Sequence, residues 1–249
     1  MRSVLVATFL AALAAWSPAR AAGETVDVAL ILAADVSRSI DSVEFRLQRE
    51  GYAGAITSER VLKAVAAGRH GAIAVSFLEW SGPEEQKFVI DWMVIRDGET
   101  AAPFAKILIE AERSFVGRTS ISAGIDVAMD YFNKSGVKAE RRVIDISGDG
   151  TNNAGRPIGE AREAALAAGV TINGLAIINE HPMPGFSAHT QPPEGLPEYY
   201  RRNVIGGPGA FLLVVRDFNT FGEALIDKLV NEISGRAAAV RLASRDRPR

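Results

Sequence analysis

The segment 26–33, VDVALILA, is an almost unbroken apolar run carrying a single aspartate. A strand with one wet face alternates polar and apolar residues, so such a run is at home only when covered on both sides, as in parallel sheets clothed by helices. The next segment agrees. After Asp41, a predicted N-cap with Glu44 three residues on, Val43, Leu47, Ala53 and Ile56 fall on a rough helical stripe reaching about Ser58.

The same alternation continues. Residues 71–79 read as the next strand, and Gln86–Ile95, aromatic and β-branched, as its antiparallel edge partner. Helical patterns fall at about 100–112 and 122–135, then a strand at 142–147, a helix at 157–168 and a strand at 170–178. A Pro/Gly-rich stretch, 182–209, reads as the one long loop insertion. The strand 210–215 and a helix over 219–234 follow, the helix with a Thr220/Glu223 capping box and apolar residues Phe221, Leu225, Leu229 and Ile233. The predicted fold class is therefore α/β: a three-layer, doubly wound, mostly parallel six-stranded sheet with one antiparallel edge strand.

Residues 1–21 read as a secretory signal peptide: Arg2, an apolar run from Val4 to Trp16, then Ala19-Arg20-Ala21. The run is about 13 residues, short of the roughly 20 that cross a bilayer, and the small residues suit a signal peptidase. The expected organisation is a signal peptide over 1–21, one domain over 22–236 and a polar tail over 237–249, exported to the periplasm or beyond, with no membrane span after cleavage. Cysteine is absent from the 249 residues, which removes disulfides, thiolate metal sites and cysteine nucleophiles together. A net charge of −2 offers no basic field for nucleic acid. The three histidines, His70, His181 and His189, are too scattered for a three-imidazole centre. Metal chemistry is left mainly to oxygen.

In open α/β sheets ligands bind beyond the carboxyl ends of the strands. The first strand ends in Asp35-Val36-Ser37-Arg38-Ser39, a pattern that alone reads equally as a polar turn into a helix. The 142–147 strand ends in Gly148-Asp149-Gly150, and Gly117-Arg118-Thr119-Ser120 precedes the 122–135 helix, so three loops bring oxygen side chains to one sheet edge. Asp145 lies inside a strand expected to be buried and therefore needs a partner. Around the loops, Arg38, Trp80, Arg118, Asn152 and Asn153 follow strand ends or sit within the loops; they read equally as a ligand rim and as ordinary loop polarity or, for Trp80, as packing.

This order of Asp-x-Ser-x-Ser, a Thr after a glycine-containing loop and Asp-Gly at a strand end resembles the von Willebrand factor A (vWA) family and its metal-ion-dependent adhesion site (MIDAS). The resemblance runs from about Asp27 to Ile233 and extends to exported bacterial proteins of unassigned function. It implies a vWA, Rossmann-like fold and metal residues Asp35, Ser37, Ser39, Thr119 and Asp149, with the hydroxyls ligating directly and the carboxylates mainly through water. It also implies an open position for an acidic side chain of a partner protein. Gly148 departs from the pattern, standing where a threonine commonly precedes Asp-Gly. Hard oxygen donors suit Mg²⁺ or Mn²⁺. The expected function is a non-enzymatic, divalent-metal-dependent protein-binding module of the bacterial envelope, since G-x-S-x-G, phosphate-loop, H-E-x-x-H and G-x-G-x-x-G motifs are missing. The alternative is a metal-dependent hydrolase using the same cluster, with Asp35 or a metal-bound water attacking.

Overall fold

The apolar run becomes the centre of the sheet. In the computed structural model, which describes residues 24–178, 192–216 and 221–235, it forms β1 (Thr25–Asp35), buried along its whole length after the first residue. Parallel neighbours flank it, β2 (Ile73–Trp80) on one side and β4 (Lys138–Gly148) on the other. Beyond β2 the chain returns antiparallel as β3 (Gln86–Ile95), and beyond β4 lie the parallel strands β5 (Val170–Ile177) and β6 (Leu212–Val215). The order is β3-β2-β1-β4-β5-β6. Winding reverses between β1 and β4, and the carboxyl ends of those two strands open the crevice in which such sheets bind ligands.

Helices cover both faces. On one lie α1 (Ser42–Thr57), α2 (Glu59–Ala66), α3 (Gly98–Glu110) and α7 (Phe221–Ser234), burying Tyr52, Val61, Phe104 and Leu225 against Leu30, Leu32 and Phe77. On the other lie α4 (Ile121–Ser135), α5 (Ile158–Ala167) and α6 (Leu196–Asn203), where Ile125, Ala161 and Tyr200 meet Ile31, Ile144 and Trp80. The opening of α1 matches its sequence signal: Asp41 Oδ1 accepts from Val43 N at 2.7 Å and Glu44 N at 2.8 Å, while Glu44 Oε2 accepts from Asp41 N at 2.8 Å. This is a reciprocal capping box.

Two helices depart from the sequence reading. Ser58 ends α1 and also caps α2, its hydroxyl accepting from Val61 N at 3.3 Å, so a second helix begins where the chain was expected to leave the helical pattern. The stretch 182–209 is also more than a loop. Gly195, with φ of +79°, turns the chain into α6, and Pro197 stands in the first turn, where its missing N–H costs nothing. The signal peptide, the polar tail, His181, His189 and the Thr220 cap lie outside the described residues.

Asp145 finds its partner in α7. The Lys228 ammonium lies 2.7 Å from Asp145 Oδ1 and 2.6 Å from Glu232 Oε1, with all three side chains fully buried. Asn173 Nδ2 donates to Glu232 Oε1 at 3.0 Å, and Asn173 Oδ1 accepts from Phe211 N at 3.1 Å. The Phe211 ring lies 4.8 Å from the ammonium, and the Tyr52 phenol is held neutral by burial and then by the Asp145 charge. Two carboxylates share one ammonium. Burial, reinforced by Asp145 and opposed by Lys228 and Asn173, pushes the Glu232 carboxyl up from 4.5 to about 7.

The native chain therefore keeps a proton that the unfolded chain releases at lower pH. Stability falls as pH rises from about 4.5 to about 7, by at most about 1.4 kcal/mol per pH unit for this one proton. Urea titrations at half-unit pH steps should show this slope in the native chain and a shallower one in Glu232→Gln. Parallel curves for the two chains would refute it.

Candidate metal centre

β1 delivers Asp35 to the crevice, and the aspartate itself makes the turn beyond it. Its Oδ1 accepts from Ser37 N at 2.7 Å, the local bond by which aspartate ends an extended run. Ile40 N closes the turn on Ser37 O at 3.0 Å. Arg113, in the segment after α3, binds this turn by its main chain. Its guanidinium donates to Val36 O and Ser37 O, each at 2.6 Å, to Ile40 O at 2.8 Å and to Phe115 O at 3.0 Å. Sequence reasoning missed Arg113, because an arginine in a polar segment carries no mark of its carbonyl partners.

The loop carrying Thr119 is pressed against the β2–β3 hairpin. Ser120 N donates to Ser81 O at 2.7 Å and Arg38 N to Gly117 O at 3.0 Å. A Cβ at residue 117 would fall 1.7 Å from Glu85 Oε2, a carboxylate already accepting from Ser81 Oγ at 2.6 Å. Glycine is required there by close approach. The loop after β4 locks on from the other side: Asn153 N donates to Thr119 O at 2.9 Å, and Asn153 Oδ1 accepts from Thr119 N at 3.1 Å. Asn152 Oδ1 accepts from Ser122 N at 2.9 Å.

These three loops bring Asp35, Ser37, Ser39, Thr119 and Asp149 together. Ser39 Oγ donates to Asp149 Oδ1 at 2.8 Å, the Ser37 and Ser39 hydroxyls are 3.1 Å apart, and Thr119 Oγ1 reaches Ser37 Oγ at 3.4 Å. Asp35, Ser37, Thr119 and Asp149 are buried, and Ser39 is half-buried. Burial drives the Asp35 carboxyl well above the ordinary range, the Asp149 charge pushes the same way, and hydrogen bonds from Ser37 and the charge of Arg113 pull it back. Asp35 Oδ2 has no hydrogen-bond partner. Three hydroxyls, two carboxylates and a buried carboxylate oxygen lacking a donor match what a hard divalent cation requires.

The candidate rim is only partly a rim. Arg38 is exposed, and Arg118 is exposed while its Nη2 donates to Asn153 O at 2.5 Å. Asn152 spends both ends of its amide on loop backbone, whereas Asn153 uses its oxygen there and is exposed. For Trp80 the structure favours packing over the rim: it is fully buried at the end of β2, its indole filling the space over Gly124, where a Cβ would come within 3.1 Å. Packing overrode position in its case.

Among the described residues, another group has ligand atoms within 4.8 Å of one another: Asp27, His70 and Glu140. It lies at the opposite, amino ends of the strands. There Asp27 accepts from His70 N at 3.0 Å, and Glu140 Oε1 meets both His70 Nε2 at 3.1 Å and Arg69 Nη1 at 3.2 Å. Those contacts brace the entry to β2.

The fold is shared with solved structures. The chain is similar to proximal thread matrix protein 1 of the mussel byssus, a structure with zinc in its MIDAS motif, at a TM-score of 0.61 and 16% identity, covering 84% of this chain and 48% of that one. It is similar to a von Willebrand factor type A protein from Catenulispora acidiphila at 0.57 and 12%, covering 84% and 43%. A third, BatB from Bacteroides thetaiotaomicron, gives 0.51 and 15%, covering 84% and 99%. The chain thus spans about half the length of the mussel protein, and at these identities the likeness is one of fold. No curated protein matches the chain. The family described as protein of unknown function DUF1194 matches residues 25–237, and the chain, vWA-like in architecture, belongs to that family.

Proposed function

We propose that the chain is a divalent-metal-dependent protein-binding module of the bacterial envelope, with no catalytic step, acting as one unit over 22–236. The observation that carries this reading is the convergence of Asp35, Ser37, Ser39, Thr119 and Asp149 from three loops at the β1/β4 switch point. Ser37, Ser39 and Thr119 would ligate Mg²⁺ or Mn²⁺ directly, and Asp35 and Asp149 would act mainly through water. The cation would supply a fixed positive charge and one open position for an Asp or Glu carboxylate of a partner protein. This chain's own residues shape the approach. The two buried carboxylates balance the cation, the amino end of α1 adds a partial positive charge, and Arg38 stands exposed beside the opening. Zinc in the MIDAS of the mussel protein supports a divalent site. The full burial of Asp35 supports a holding role over that of an attacking carboxylate.

Thermal melting with and without Mn²⁺ tests the site. At a hundredfold excess over Kd the wild-type chain should gain about 2.7 kcal/mol and Asp149→Ala close to nothing. Metal-dependent, chelator-sensitive retention of one envelope protein should disappear in the same variant. Equal melting shifts in both chains would sink the assignment, and cation-dependent turnover of a phosphoester panel, abolished in Asp35→Asn, would favour the hydrolase.

A further inference from the structure

Gly148 does not have a left-handed backbone, so its lack of a side chain is a matter of space. A Cβ there would lie 2.7 Å from the Tyr200 hydroxyl and 3.0 Å from Asp35 Oδ2. Tyr200 is fully buried, and its hydroxyl has no hydrogen-bond partner, nor has Asp35 Oδ2. Two unmatched polar atoms, one able to donate and the other only to accept when ionised, thus border one spot. The tyrosine is held in that attitude. A Cβ at Gly174 would lie 3.1 Å from its Cδ1, so its ring runs close over β5, and Val204 N and Ile205 N both bond its carbonyl at 3.0 Å. The preceding residue turns the other way, with the Tyr199 hydroxyl accepting from Asn152 N at 3.1 Å in the loop after β4. Helix α6 therefore touches the site through two consecutive tyrosines on different faces.

We propose that Tyr200 is a positioning residue of the metal centre: its hydroxyl and Asp35 Oδ2, not bonded to each other in this structure, border one spot, and on cation binding the phenol becomes the donor that orients this carboxylate. The inference rests on the metal-dependent reading of the Asp35 cluster. A buried carboxylate behind the ligating hydroxyls needs an outer partner to fix its attitude, and removing such partners typically weakens metal binding. Glycine at 148 is what admits the phenol. A side chain there would compete for the same volume.

The test is Mn²⁺ affinity by isothermal titration calorimetry, read beside the melting temperature of the metal-free chain. Tyr200→Phe removes one oxygen and keeps the ring, and should lower affinity about tenfold with little change in metal-free melting. Gly148→Ser, which brings a Cβ against the phenol oxygen, should lower it as well. In the double variant the phenol oxygen is gone and the serine hydroxyl can donate to Asp35, so affinity should return to within about threefold of wild type, a coupling that independent sites do not show. Unchanged affinity in Tyr200→Phe, or losses that simply add in the double variant, would overturn the role of Tyr200 and leave the metal site standing. Should Tyr200→Phe fail to fold, Gly148→Ala decides in its place, since its Cβ crowds the phenol oxygen and brings no donor to Asp35: wild-type affinity there overturns the inference. A wild-type chain without affinity for Mn²⁺ would overturn the site and this inference with it.

Discussion

Lys228→Met is expected to destabilise the fold by about 3–5 kcal/mol at pH 8, lowering the melting temperature by roughly 6–20 °C for a chain of this size. Methionine matches the length of lysine and fills the same volume, so packing is largely kept and the loss is electrostatic. Without the ammonium, Asp145 and Glu232 face each other fully buried, with Asn173 as the remaining donor to Glu232. The pair would respond by taking up protons, so the deficit should shrink toward pH 5, where neutral carboxyls cost less to bury. Replacing all three charged residues with apolar ones of similar size should recover most of the loss, because a buried ion network rarely outperforms a well-packed apolar core. Urea unfolding at pH 5 and pH 8 checks both statements. A loss below about 1 kcal/mol at pH 8 would mean that Lys228 is not what neutralises this part of the core.

Arg49→Met is expected to cost a similar amount, about 3–5 kcal/mol, with a different local signature. The Arg49 guanidinium meets Glu79 Oε1 at 2.5 Å and donates to Leu108 O at 2.8 Å, between the rings of Phe45 and Phe77 at 4.9 and 5.2 Å. Glu79 is fully buried, and its second oxygen accepts from Ser114 N at 2.9 Å. Removing the arginine leaves a fully buried carboxylate without its cation, which loosens its hold on Ser114. Ser114 adjoins Arg113, so the disturbance should reach the Asp35 turn and Thr119, whereas Lys228→Met should spare them. Hydrogen exchange over 111–120 separates the two cases: faster exchange is expected in Arg49→Met, and unchanged protection there would show that Glu79 anchors the segment unaided.

Elements whose periodicity is carried by their own residues were legible without coordinates. The double-sided burial of β1 shows in its unbroken apolar run, and the start of α1 shows in Asp41 and Glu44. Elements whose identity depends on a neighbour were not. Lys228 and Glu232, four apart on a helix, look like an exposed ion pair, and only the sheet beneath them makes them partners of Asp145. The short α2 hides behind Ser58, which serves both helices. Helix α6 did leave a trace, since Leu196, Tyr200 and Val204 recur every four residues and all are buried, but the surrounding prolines and glycines outweighed it. Asp35, Ser37, Ser39 and Asp149 could be read because they follow strand ends, and Thr119 because it stands just before a helix, whereas Arg113 and Tyr200 meet that cluster through a fold that has first to exist.

The way Arg113 grips its surroundings has an evolutionary reading. It seizes carbonyl oxygens of Val36, Ser37, Ile40 and Phe115, atoms that every residue type possesses, so the shape of two loops is secured without reference to their side chains. Lysine could not stand in, having no planar fork of donors. Exposed positions on and beside those loops, Arg38, Val43 and Val116 among them, are thereby released to drift. Descendants of one ancestor could diverge in the side chains of these loops while inheriting the same turn, its shape stored in the main chain.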